Sequence, residues 1–250
     1  MQRYFLEVAY KGTHYSGFQV QHNANTIQAE TEKALNILFK QPFNLTGSSR
    51  TDAGVHALQN FFHFDTEVNI AEKNLYNLNA LLPNDIVAKN FFKVDDKAHC
   101  RFDAISREYK YFLYNKKNPF LRETAYYYPY KLNVEVLQQA AEIITKHTDF
   151  TAFSKRRTQV RHFICNIHHS QWANENECLV YNVIANRFLR GMVRGFVGTM
   201  LKVATGAVTF EQFNQIIENK NSCDVDFSAP AHGLFLVKVN YKKGMLKEIV

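Results

Sequence analysis

Arg50-Thr51-Asp52-Ala53-Gly54-Val55-His56-Ala57 runs almost directly into Gln59-Asn60-Phe61-Phe62-His63-Phe64-Asp65. The first segment is too short, and too polar at Arg50 and Asp52, to be a core strand. Gly54 lets the backbone take a conformation that other residues avoid. The second segment reads as a strand over 59–65. Asp52 therefore sits where a loop feeds a sheet, a common place for catalytic groups. The same position also suits a turn aspartate that bonds nearby backbone amides.

Outward from this loop, one pattern of elements is used twice. The first half predicts a strand over 2–10 and a helix over 26–39, with Asn25 or Thr26 as its N-cap. Ile27, Ala34, Leu35 and Leu38 share one face of that helix. Strands over 43–47 and 59–65 follow, then a helix over 71–81 stopped by Pro83, and a strand over 86–94. The order is β-α-β-β-α-β, the split βαβ or ferredoxin-like arrangement.

The second half predicts strands over 107–115, 162–170, 178–185 and 234–241. Helices are predicted over 133–147 and over 187–204, the latter closed by Gly206. An added helix over 210–219 has Thr209 and Gln212 spaced for a capping box. The stretches 116–130 and 149–161 read as surface loops, the second carrying Lys155, Arg156, Arg157 and Arg161. The fold class is α+β: two ferredoxin-like lobes, 1–100 and 101–250, with a cleft between them.

A chain of 250 residues buries a real core, and 46% hydrophobic with 21% charged residues is ordinary for a globular protein. No apolar run approaches the ~20 residues that span a bilayer. Met1-Gln-Arg-Tyr-Phe-Leu-Glu-Val8 begins an alternating strand without a signal-peptide pattern, so the expected location is the cytoplasm. A formal charge of +7 suits a polyanionic partner. Cys100, Cys165, Cys178 and Cys223 form no C-x-x-C pair, and no group of Cys, His and carboxylates has ligand spacing. No metal and no cofactor is expected. His56 reads as a loop-packing residue, and His168 and His169 point to opposite faces of a strand.

The Arg50–Ala57 stretch resembles the catalytic loop of the tRNA pseudouridine synthase A family, G-R-T-D-A-G-V-H. Five further stretches resemble that family in order. Tyr10-Lys-Gly-Thr-His-Tyr-Ser-Gly-Phe-Gln19 is similar to Y-D-G-x-x-Y-x-G-W-Q, and Asn79-Ala-Leu-Leu-Pro-Asn-Asp-Ile86 to N-x-x-L-P-x-D-I. Arg107-Glu-Tyr-Lys-Tyr111 resembles R-x-Y-x-Y, and Asn186-Arg-Phe-Leu-Arg-Gly-Met-Val-Arg194 resembles N-x-F-x-x-x-M-V-R. Ala231-His-Gly-Leu-Phe-Leu236 matches A-x-G-L-x-L. Ser49, Phe18 and Gly195-Phe196 depart from the usual Gly, Trp, and Asn-Met or Asn-Ile.

The resemblance implies an isomerase acting on uridines 38, 39 and 40 of the tRNA anticodon stem-loop. It also implies a homodimer, and an extended mixed sheet with helices on one side and the active site in a central cleft. Asp52 becomes the nucleophile, adding to sugar or base, or promoting glycal formation. Arg194 becomes the cation that keeps it ionised. Arg187, Arg190 and Arg194 fall on one face of the predicted helix. Tyr109 becomes the platform against the uracil, with a hydroxyl able to handle a proton. Arg50 either fills the space left by an extruded uridine or contacts a phosphate. Arg190, Arg156 and Arg157 are further candidates for binding RNA. The alternative is a non-catalytic RNA-binding protein on a ferredoxin-like scaffold. It lacks support in the sequence, because the aromatic motif of RNA-recognition sheets is absent.

Overall fold

The computed structural model describes residues 1–155, 160 and 162–249. The chain divides into two compact units, Met1–Ile105 with Leu236–Val250, and Ser106–Phe235. Among the described residues there are ten strands and five α-helices, so the fold is α+β with open, mixed sheet.

The first unit contains β1 (Gln2–Tyr10), α1 (Ile27–Phe39), β2 (Thr46–Gly47), β3 (His56–Thr66), α2 (Lys73–Leu81) and β4 (Ile86–Lys93). Its sheet runs β4-β1-β3, with β2 paired to β3. This is the split βαβ order expected from the sequence. Leu6 lies opposite Phe62 on one side and Phe91 on the other, so the centre of the sheet is apolar on every strand. Thr26 caps α1 through its hydroxyl, and Lys40 ends the helix in the left-handed conformation. Two strands from the far end of the chain extend the sheet: β9 (Leu234–Asn240) beside β3, and β10 (Lys247–Glu248) beside β4.

The expected strand over 43–47 shrinks to two residues. The amide of Phe43 is taken by Asn36 Oδ1 at 2.6 Å and that of Leu45 by Glu32 Oε1 at 2.9 Å. Side chains of α1 thus satisfy the backbone that a strand partner would otherwise bond.

The second unit holds β5 (Ser106–Tyr114), β6 (Tyr126–Tyr127), α3 (Val134–Thr145), β7 (Ile167–Glu175), β8 (Cys178–Ala185), α4 (Met192–Ala204) and α5 (Phe210–Glu218). β5 and β8 pair antiparallel, as do β8 and β7, while β6 joins β5 in parallel. α3 buries Leu137, Ala140, Ala141 and Ile144, and Gln138 Oε1 accepts from the amide of Trp172 on β7. The capping box of Thr209 and Gln212 is formed at the start of α5.

Three expectations shift here. The strand over 162–170 begins instead at Ile167, because residues before it pair with the turn after α3: Phe150 donates to Phe163, and Cys165 to Thr148. The loop over 116–130 contains the short strand β6. The helix over 187–204 begins only at Met192, since Gly191 has φ +76° and breaks the helical path. Arg187 and Arg190 therefore precede α4 and do not share a helix face with Arg194.

Candidate active site

Asp52 lies in the loop that precedes β3, half-buried, with Arg50 exposed beside it. The loop turns at Gly54, φ +78°, and closes with the Val55 amide on Asp52 O at 3.2 Å. A chain of buried polar groups fixes it. The Tyr10 hydroxyl meets Thr51 Oγ1 at 2.8 Å and accepts from Asn60 Nδ2 at 3.0 Å. Asn60 also donates to Ser49 O at 3.0 Å, and its Oδ1 accepts from Ser48 Oγ at 2.7 Å. Each such bond contributes only ~1 kcal/mol net, yet losing one partner strands the rest in a dry interior.

The N-terminal motif supplies the other wall. Gly17, φ +105°, leaves room for Thr51 O, which accepts the Phe18 amide at 3.1 Å. A Cβ on Gly12 would overlap Val55 O, and the Gly12 amide donates to His56 Nδ1 at 3.0 Å. His56 is thus a loop-packing residue, as its place in the sequence suggested. Phe18 stacks on Phe62 with ring centres 4.5 Å apart, and a Cβ on Gly47 would collide with it. The Asn79 motif braces β4: its side chain both donates to and accepts from Ala88, at 2.8 and 2.9 Å.

Ser49, where the resembling family usually has glycine, is 8% exposed, and its hydroxyl has no hydrogen-bond partner among the described residues. An unsatisfied buried hydroxyl costs ~1–3 kcal/mol. Ser49→Ala should therefore raise the unfolding free energy by about 1 kcal/mol. Chemical denaturation checks this, and a drop in stability of similar size would show that the hydroxyl is satisfied in solution.

In the second unit, Tyr109 projects from β5 opposite Val183 and is 9% exposed. Its ring meets Phe188 edge to face at 5.0 Å. Tyr111, two residues on, is fully buried and donates to Pro230 O at 2.8 Å; burial raises its pKa. A Cβ on Gly233 would press on the Tyr111 ring, which accounts for the glycine of the closing motif. Arg107 Nη1 donates to Asn186 O at 2.9 Å, tying two of the motifs together.

Arg194, on the first turn of α4, donates from Nε to Ala229 O at 2.6 Å and from Nη2 to Phe227 O at 3.4 Å. Its guanidinium is thereby aimed by the segment before β9. Arg190 is exposed, and its carbonyl accepts the Lys155 amide at 3.0 Å. Arg156, Arg157 and Arg161 lie outside the described residues. The Gly195-Phe196 departure exchanges bulk between neighbours. A Cβ on Gly195 would stand 2.9 Å from Phe227 and 3.0 Å from Val225, while the Phe196 ring packs between Phe150 and Phe153.

Folding also brings His63 to the adjacent His99 and Cys100, and the three have ligand atoms within 4.8 Å of one another. Each is engaged by the protein. Cys100 Sγ lies 3.1 Å from His63 Nδ1 and donates to Thr46 O, and His99 Nδ1 accepts the Arg101 amide at 3.1 Å. Burial lowers the His63 pKa to about 4, so the ring is neutral.

A family profile described as tRNA pseudouridine synthase matches residues 7–103 and 145–242 of this chain. The chain belongs to the tRNA pseudouridine synthase family. It is 43% identical over 247 residues to tRNA pseudouridine synthase A of Parabacteroides distasonis, covering 96% of each protein. The synthase of Bacteroides thetaiotaomicron is 41% identical, with 99% of this chain and 94% of that protein covered. The synthase of Staphylococcus aureus is 36% identical, with 95% and 90% covered. The family is one of isomerases, and the Asp52 loop and its braces lie inside the matched region. No described helix is long and apolar enough to cross a membrane.

Polar strand residues hold the loop, and sequence reasoning gave them no role. Asn60 was the available signal: an amide in an otherwise apolar strand, fully buried in the folded protein. The structural work of Tyr10 and Gly12 was equally hidden, although both stand in a motif that the sequence displays.

Proposed function

We propose that this synthase converts uridine to pseudouridine in the tRNA anticodon stem-loop, at positions 38, 39 and 40. The observation that carries the reading is the braced Asp52 loop within a full-length match to pseudouridine synthases. The reaction breaks the N1–C1′ bond, turns the uracil over and joins C5 to C1′. A proton leaves C5 and one is gained at N1, so no oxidant, reductant or net water is consumed. Asp52 supplies the carboxylate, which either adds and leaves again or promotes glycal formation. Tyr109 and Arg194 keep the roles that the resemblance gives them, base platform and charge partner, and Arg50 acts on the RNA beside the target. The active protein is a cytoplasmic homodimer, and one tRNA touches both subunits.

The test is incubation with unmodified tRNA, followed by carbodiimide labelling and primer extension. Stops one nucleotide 3′ of positions 38–40 support the proposal; labelling elsewhere, or none, sinks it. Light scattering at working concentration tests the dimer separately.

Binding should weaken steeply with salt, because basic side chains displace counterions from phosphates. Arg156→Ala with Arg157→Ala should flatten the plot of log affinity against log salt by roughly 1.5, at ~0.7–0.9 per lost phosphate contact. An unchanged slope would remove this basic loop from the RNA interface.

A further inference from the structure

Within the first unit, a cavity of about 280 Å³ opens beside the Asp52 loop. Arg50, His99, Arg101, Phe102 and Gln19 are among the residues that line it. Phe102 is 75% exposed. It is nevertheless held firmly. Asp103 Oδ2 accepts the His99 amide at 2.7 Å, and the Asp103 amide returns to His99 O at 3.0 Å. His99 in turn rests on buried His63, with ring centres 4.5 Å apart, and Phe102 leans on His99 at 4.2 Å. The Arg101 guanidinium carbon lies 5.9 Å from the centre of the Phe102 ring. A hydrogen-bonded run of ring contacts thus ends in an exposed ring flanked by positive charge.

We propose that this pocket receives one nucleotide of the substrate RNA other than the target uridine. Its base lies on Phe102 and its phosphate is met by Arg101. The proposal rests on the tRNA-modifying reading above. Three features favour this occupant. Aromatic faces with neighbouring guanidinium groups are how proteins hold unpaired nucleotides. The volume lies just below the ~300–1,000 Å³ of small-ligand sites, which suits one nucleotide and not a duplex. Arg50 lines the pocket two residues before Asp52, so RNA entering the catalytic loop passes its mouth. The pre-formed run of ring contacts means that little ordering cost falls on the protein when the base stacks.

The test uses the full-length protein and an anticodon stem-loop in which single nucleotides are made abasic in turn. Phe102→Ala should weaken stem-loop binding about 5- to 150-fold, in line with the ~1–3 kcal/mol of one base stack. Phe102→Tyr should bind like wild type. At one abasic position, other than the target, wild type should lose the same factor and Phe102→Ala should lose nothing more. Arg101→Ala should lower the salt slope by about 0.7–0.9. Circular dichroism and melting curves identify any variant that fails to fold, and Phe102→Leu, which keeps apolar bulk without a ring, then carries the comparison with the abasic series. If wild type forms pseudouridine but abasic and Phe102 effects add at every position, the pocket proposal falls while the functional reading stands. If Phe102→Ala instead changes the oligomeric mass, the ring belongs to a contact between copies, and the proposal falls. If wild type forms no pseudouridine, both fall.

Discussion

Asp52→Asn will lower the single-turnover rate on unmodified tRNA by at least about a thousandfold, while the dissociation constant changes less than threefold. The amide has nearly the carboxylate's shape but neither its charge nor its nucleophilicity, and loss of a group that acts covalently typically costs several orders of magnitude. The fold should not respond. The loop is braced by Tyr10, Thr51, Asn60 and Ser49, and Asp52 is only half-buried. Its backbone carbonyl, which closes the turn onto Val55, survives the substitution. A rate within tenfold of wild type would remove Asp52 from the centre of the reaction.

The second large effect belongs to Tyr109. Tyr109→Phe should fold normally and lose about 10²-fold in single-turnover rate, the low end of what a positioned proton-transfer group contributes. The new ring keeps its edge-to-face contact with Phe188 and its place opposite Val183, so packing is preserved. Tyr109→Ala should instead lower stability by about 3–5 kcal/mol, because it empties a site that is 9% exposed. Measuring the rate beside a melting curve separates the two roles. A wild-type rate in the Phe variant would confine Tyr109 to stacking or packing.

The elements themselves were largely legible in the sequence. Their periodicities are strong where burial is one-sided, as on α3, and the capping box of α5 is a local signal with a local cause. The mistakes arose where non-local partners took the backbone. Glu32 and Asn36 claim the amides of residues 45 and 43, and the Thr148–Phe150 turn takes the Phe163 carbonyl and the Cys165 amide before β7. Arg187 and Arg190 were misplaced because MVRGFVGTM has the same apolar spacing whether the helix begins before or at Met192; only the positive φ of Gly191 decides. Asp52 could be singled out by its motif, but not its support. The Tyr10–Thr51–Asn60 network joins residues up to 50 positions apart, a separation that pattern reading does not bridge.

The first unit is completed by the last stretch of the chain. Val239 donates to Gln59 Oε1 at 3.0 Å, the Ile105 amide to Asn240 O at 2.8 Å, and the Tyr241 ring packs on Phe5 and Phe61. During translation, then, the strand that carries Gln59 and Asn60 waits for a neighbour that is still inside the ribosome. A nascent polypeptide released at residue 235 would leave the far side of β3 bare, and would expose the Phe5 and Phe61 rings that Tyr241 covers. Premature termination between Arg194 and β9 should therefore yield a product that chaperones and proteases treat as unfinished, even though Asp52, Tyr109 and Arg194 have already been made.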